Sequence, residues 1–177
     1  MKHAVFLDRD GVINRAVIRE GRPYPPASMD EFEFLPQVEE AIEKLHCANF
    51  LIFVVTNQPD VRTGVQRKEV VEAMHAHLAS RCPVDDILVC YHVDEDGCEC
   101  RKPQPGMLLQ VAKRWPIDLS QSIMIGDRWR DIEAGKAAGC STVLIRSEYA
   151  ERQAENPDII AESLFEASEL ILTTGML

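Results

Sequence analysis

Five short apolar runs recur along the 177-residue chain with helix-like segments between them: residues 3–7 (HAVFL), 50–55 (FLIFVV), 86–90 (DILVC), 122–126 (SIMIG) and 141–145 (STVLI). Each is nearly continuous in its apolar residues rather than alternating, the pattern of a strand covered on both faces. The segments 36–46, 67–80, 105–114 and 129–138 between them read as helices; the first carries Val38, Ala41, Ile42 and Leu45 at helical spacing, and the last closes on Gly139. Strand and helix in alternation predict an α/β chain, a three-layer Rossmann-like fold with a central parallel sheet flanked by helices. A short strand and a last helix are expected within 157–172. The length suits a single domain over 1–177 with no large cap domain.

In such a sheet the ligand site lies beyond the carboxyl ends of the strands, and those ends carry chemistry. The first strand runs into Asp8 and Asp10, the second into Thr56, Asn57 and Gln58, and the fourth into Asp127 with Asp131 four residues on. Arg101 and Lys102 precede the third helix. A lone Asp-x-Asp after a strand is most often a turn or a helix cap. Carboxylates, a hydroxyl, an amide and two cations gathered at one edge are a different matter. Carboxylates held close repel, and a hard cation such as magnesium relieves that cost. Thr56, Asn57 and Lys102 supply donors for a phosphoryl oxygen on which charge builds. Segment 15–34 breaks the alternation: Gly21, Pro23, Pro25 and Pro26 interrupt any helix around Tyr24, and a flap over the site is expected there.

Composition limits the partners. A net charge of −10 argues against a surface that neutralises nucleic-acid phosphates or an anionic membrane, so a small molecule is the expected partner. No run approaches the roughly 20 apolar residues of a membrane span, and MKHAVFLDRDG lacks the apolar core of a signal peptide. A cytoplasmic monomer is expected.

A second cluster lies in VCYHVDEDGCECRKP, where Cys90, His92, Cys98 and Cys100 form a Cys-x-His pair followed by a Cys-x-Cys pair. Three thiolates and an imidazole make a closed tetrahedral zinc set, structural in kind because no position is left for water. The loop 90–100 is polar and contains a glycine, so burial does not account for its thiols. Cys47, Cys82 and Cys140 read as core or surface residues, and His3, His46, His75 and His77 have no partners at ligand spacing.

The four strand-end motifs, in order DRDG, the Thr of VVTNQ, the Lys of RKP and the acidic GDRWRD, resemble those of the haloacid dehalogenase superfamily of phosphatases over about residues 4–146. The resemblance implies a magnesium-dependent phosphomonoester hydrolase. Asp8 would be the nucleophile that forms an aspartyl-phosphate and Asp10 the general acid and base. Asp8, the Asp10 backbone carbonyl and Asp127 would hold magnesium, with Asp131 in support. Thr56, Asn57, Arg101 and Lys102 would meet the phosphoryl group or substrate. The cysteine loop before RKP resembles two branches, the heptose 1,7-bisphosphate phosphatases and the histidinol-phosphate phosphatases. FLDRDGVIN, TNQ and RKPQPGML resemble the first, which implies removal of the 7-phosphate; the five-residue spacer between His92 and Cys98 resembles the second. After TNQ the chain reads PDVRTG, with Arg62 and Thr63 where the heptose branch tends to carry Gly-Ile-Ala-Arg-Gly.

Overall fold

The structure, a computed structural model, describes residues 1–174. Six strands form one sheet in the order β5-β4-β1-β6-β7-β8: β1 is Ala4–Leu7, β4 Leu51–Asn57, β5 Asp86–Cys90, β6 Ile123–Gly126, β7 Ser141–Ile145 and β8 Ile159–Ala161. Every neighbouring pair is parallel, as nearly continuous apolar runs demand. Period two divides the strand side chains between two faces. Val5, Leu7, Ile52, Val54, Ile123 and Ile125 pack under α1 (Val38–Cys47), the end of α2 (Lys68–Arg81) and α5 (Leu164–Thr174). Ala4, Phe6, Phe53, Val55 and Met124 pack under α3 (Gly106–Arg114). On that second face α4 (Trp129–Ala138) comes so close that a Cβ on Gly135 would meet Met124 and Thr142.

The chain builds outward from β1 in one direction through β4 and β5, then returns to the other side of β1 for β6, β7 and β8. The order therefore reverses between β1 and β6, the switch point where open sheets of this kind leave a crevice. Asp8 follows one of these strands and Asp127 the other. The second predicted strand is longer than its apolar run: β4 extends through Thr56 and Asn57, which pair with Val89 and Cys90 of β5.

Segment 15–34, expected as an irregular flap, contains an antiparallel hairpin of β2 (Val17–Arg19) and β3 (Arg22–Tyr24), followed by a single 3-10 turn at Met29–Glu31. Pro23 sits inside β3, tolerated because a two-stranded ribbon leaves one edge of each strand unpaired. Gly21 makes the turn at φ +74°, and a Cβ there would strike Ala150, whose backbone N–H donates to Gly21 O at 2.7 Å. Among the described residues no helix is long and apolar enough to cross a membrane.

Candidate active site

Three segments at the carboxyl edge meet at Lys102: the residue after β1, the end of β4 and the first turn of α4. Its ammonium, 2 % exposed, donates to the Val55 carbonyl at 2.7 Å and lies 2.9 Å from Asp8 Oδ1 and 2.6 Å from Asp131 Oδ1. Burial alone would lower its pKa; the Asp131 and Asp8 carboxylates outweigh burial and hold it above the ordinary lysine value. The Lys102 backbone is fixed by Asn57, whose Nδ2 donates to Lys102 O at 3.0 Å and whose Oδ1 accepts from Lys102 N at 3.1 Å. Asn57, read from the sequence as a phosphate donor, thus spends both ends of its amide on positioning the lysine.

Asp8 is buried, and desolvation raises its pKa to about 6 despite Lys102. Asp127 is pushed further up by burial and then by the charges of Asp8 and Asp131. Its Oδ2 accepts from Tyr149 Oη at 2.6 Å and its backbone carbonyl from Ser147 Oγ at 2.9 Å, whereas Oδ1 is buried with no partner. One oxygen from each of Asp8, Asp127 and Asp131 lies within 4.8 Å of the others. Three converging carboxylates, one with an orphaned oxygen, fit a hard cation such as magnesium. Asp131 has both oxygens engaged, Oδ1 by Lys102 and Oδ2 by the Arg128 backbone N–H at 3.0 Å, which suits it to orient its neighbours. Gly11, at φ +90°, is required by this packing, since a Cβ would overlap the Asp127 carboxylate and the Tyr149 hydroxyl.

The Asp10 carboxylate points to a separate group of donors. Arg9 Nη2 reaches both of its oxygens at 2.9 and 3.0 Å, Asn14 Nδ2 donates at 2.9 Å and Gln58 Nε2 at 2.7 Å. Gln58 Nε2 also donates to Thr56 Oγ1 at 2.9 Å, so Thr56, 1 % exposed, is linked to Asp10 through one amide. Arg9 is fully buried, its Nη1 3.0 Å from Nε2 of His75 on α2. Burial and the Arg9 charge lower the His75 pKa to about 4, so the ring accepts from the guanidinium as neutral imidazole. The sequence singled out neither Arg9 nor His75. Arg9 lies in DRDG, but only the fold shows it turning inward; His75 has no partner within its own helix.

Beside this floor opens a cavity of about 230 Å³, lined by Asp8, Asp10, Lys102 and Asp131. Arg22 and Tyr24 of the hairpin form another part of its wall, as do Arg101, Arg128 and Arg130. Arg62 lies outside it, 3.5 Å from Asp96.

The cysteine loop adjoins this edge. Cys100 Sγ lies 3.1 Å from Cys90 Sγ and 3.4 Å from both Cys98 Sγ and His92 Nδ1. Cys90 Sγ is 3.6 Å from Cys98 Sγ and from His92 Nδ1. Among the described residues, this set and the three carboxylates are the groups that bring metal-ligating atoms together in this way. Burial pushes the Cys90 thiol well up, so its thiolate calls for a cation. Three sulfurs and one ring nitrogen at these separations fit a tetrahedral thiophilic ion.

Comparison with known proteins decides the lineage. A curated protein of Pasteurella multocida, D-glycero-beta-D-manno-heptose-1,7-bisphosphate 7-phosphatase, is 36 % identical over 185 residues, covering 97 % of this chain and 97 % of its own. The chain belongs to the haloacid dehalogenase-like phosphatases. The family model described as HAD-hydrolase-like matches residues 99–167. A protein of the same name from Rhodopseudomonas palustris is 36 % identical over 148 residues, 77 % of this chain and 79 % of its own. The crystal structure of the D,D-heptose 1,7-bisphosphate phosphatase from B. bronchiseptica, complexed with magnesium and phosphate, superposes with a TM-score of 0.80 at 30 % identity, covering 97 % of this chain and 99 % of that one. The superposition shows that this chain has the fold of that phosphatase, with the parallel sheet at its centre. The B. bronchiseptica complex supports magnesium as the cation for such a site.

Proposed function

We propose that this phosphatase removes the 7-phosphate of heptose 1,7-bisphosphate with magnesium, through an aspartyl-phosphate on Asp8, and that residues 1–177 work as one domain. The observation that carries the chemistry is the Lys102 ammonium lodged between Asp8 and Asp131 beneath a cavity walled by arginines. The substrate is inferred from the names of the relatives.

Asp8 attacks phosphorus, and the bond to the sugar oxygen breaks as the new one forms. Lys102 holds Asp8 ionised and offers protons to a phosphoryl oxygen as charge builds on it. Asp10 gives a proton to the leaving oxygen, then takes one from the water that hydrolyses the intermediate. Arg9, Asn14 and Gln58 hold its carboxylate in place, and Thr56 completes that group through Gln58. Asn57 keeps the lysine loop against β4. Asp8, Asp127 and the Asp10 carbonyl would hold magnesium, with Asp131 orienting the lysine beside them. Magnesium, when bound, offsets the repulsion among these carboxylates and draws charge from the phosphoryl oxygens.

Cys90, His92, Cys98 and Cys100 would hold one structural zinc ion, which stiffens the loop ending in Arg101 and Lys102. Arg101 meets the substrate. Its Nε is on Asp94 at 2.7 Å and its buried Nη1 has no partner.

A screen at matched concentration of heptose 1,7-bisphosphate, heptose 7-phosphate, fructose 1,6-bisphosphate and histidinol phosphate tests the substrate. The heptose bisphosphate should have the highest kcat/KM. A preference for histidinol phosphate would transfer the chain to the other branch named by its short cysteine-loop spacer.

A further inference from the structure

The cavity wall away from the carboxylates carries more positive charge than its own acids neutralise. Arg101 and Arg130 share one carboxylate: Arg101 Nε is 2.7 Å from Asp94 Oδ1, and Arg130 Nη1 and Nη2 are 3.1 and 2.9 Å from Asp94 Oδ1 and Oδ2. Two guanidiniums against one carboxylate leave one charge over. Arg22, on β3 of the hairpin, lines the same cavity and has no ion-pair partner among the described residues. That makes a second uncompensated charge.

Two further charged groups stand on this wall, Arg128 and Asp60. Arg128 is matched by Glu151, which accepts from both its Nε and its Nη2. Asp60 makes no ion pair among the described residues, and burial pushes its carboxyl above the ordinary carboxylate value. With Asp60 set against them, the wall keeps a surplus of one positive charge on a chain whose net charge is −10. A phosphate monoester carries about −1.5 to −2 at neutral pH, so this wall attracts such a group, and three guanidiniums offer it donors.

The positions are also held. Arg130 is stacked on the Trp129 ring at 4.7 Å, with Arg152 also within cation-π range of that ring at 4.6 Å. Arg130 Nη1 also reaches the Lys102 carbonyl at 3.3 Å. The hairpin that carries Arg22 is tied at Gly21 to Ala150, next to the Tyr149 that holds Asp127. The hairpin backbone next to Arg22 is thus tied to the segment that also orients the candidate metal site.

We propose that Arg22 and Arg130 join Arg101 in a second anion subsite that receives the phosphate not being hydrolysed, making the hairpin the element that selects bisphosphates over monophosphates. This rests on the bisphosphate reading above. Charge-assisted pairs of guanidinium with phosphate are among the stronger hydrogen bonds in water, and losing one is worth about a tenfold change in an equilibrium.

The test is the ratio of kcat/KM for heptose 1,7-bisphosphate to that for heptose 7-phosphate, in the full chain with magnesium and in its Arg22→Ala, Arg22→Lys, Arg130→Ala and Arg62→Ala forms. Both substrates are measured on one preparation, so the ratio is indifferent to the folded fraction. The expected ratio falls about tenfold in Arg22→Ala and in Arg130→Ala, is partly restored in Arg22→Lys, and is unchanged in Arg62→Ala, whose arginine lies outside the cavity. A wild-type preference that survives in both Arg22→Ala and Arg130→Ala overturns the subsite and leaves the bisphosphate reading standing. A wild type that shows no preference overturns the bisphosphate reading, and the subsite with it.

Discussion

Asp127 presents one oxygen to Tyr149 and leaves the other buried without a partner, which divides the carboxylate between protein and a cation. Removing the tyrosine hydroxyl should free the carboxylate to rotate. In Tyr149→Phe the dissociation constant for magnesium, read by titration calorimetry in the absence of substrate, is expected to rise about tenfold; an unchanged constant would show that Tyr149 does not orient Asp127. Asp8 lends itself to a harsher test. Asp8→Asn removes the proposed attacking charge and one metal ligand, so kcat with p-nitrophenyl phosphate should drop by about a thousandfold, roughly 4 kcal/mol of barrier. Near-normal turnover in that variant would exclude the covalent route. Asp8, Asp127 and Lys102 were visible in the sequence because each follows a strand or sits in a motif of fixed order. Tyr149 was not: its partner lies 22 residues away, and no periodicity or spacing marks a hydroxyl that crosses from a loop to a carboxylate.

At the scale of elements, helix α2 reaches the edge of the site through His75. The folded protein keeps this imidazole neutral down to about pH 4, whereas in the unfolded chain it takes a proton near 6.5. Between those values the unfolded state binds the extra proton, so this contribution to stability is full above pH 6.5 and is lost as the pH falls toward 4. Its size is on the order of 3 kcal/mol. His75→Gln keeps an acceptor for Arg9 and cannot be protonated. Urea unfolding at pH 7 and pH 4.5 should therefore show a smaller loss in the variant than in the wild type, and equal losses would mean that His75 titrates normally. The cysteine loop behaves as another such element. Cys98→Ser should take the zinc content, measured by elemental analysis, from about one per chain toward none, with a stability loss on the order of several kcal/mol. Unchanged metal content and stability would leave the four side chains without a metal role. The loop was legible because two short Cys/His pairs in a polar stretch have the spacing of metal ligands; the expectation that burial plays no part in its thiols is corrected for Cys90, which ends β5 inside the core with Cys98 and Cys100 packed against it. The hairpin in 15–34 was not: Gly21, Pro23, Pro25 and Pro26 signal the end of regular structure, yet β2 and β3 are three residues each and fall below the length at which alternation can be recognised.

For the whole molecule, five apolar runs predicted a parallel sheet, and the sheet has six parallel strands, the sixth being the short strand expected near the C-terminus. Apolar continuity reports burial, and burial on both faces leaves little choice of architecture. What the sequence did not reveal is how the edge distributes its charge. Asp94 and Glu151 are ordinary loop acids until the fold brings them to Arg101, Arg130 and Arg128. An acidic chain thereby keeps arginines on one wall of the cavity beside Asp8 and Lys102. The assigned function stands on one reaction, and phosphorus NMR of heptose 1,7-bisphosphate incubated with the enzyme follows it directly. With magnesium, one inorganic phosphate should appear per sugar while the resonance of the 1-phosphate persists, and chelating the magnesium should stop the release. Release that continues without magnesium, loss of the 1-phosphate instead, or no release at all would contradict the function assigned to this site.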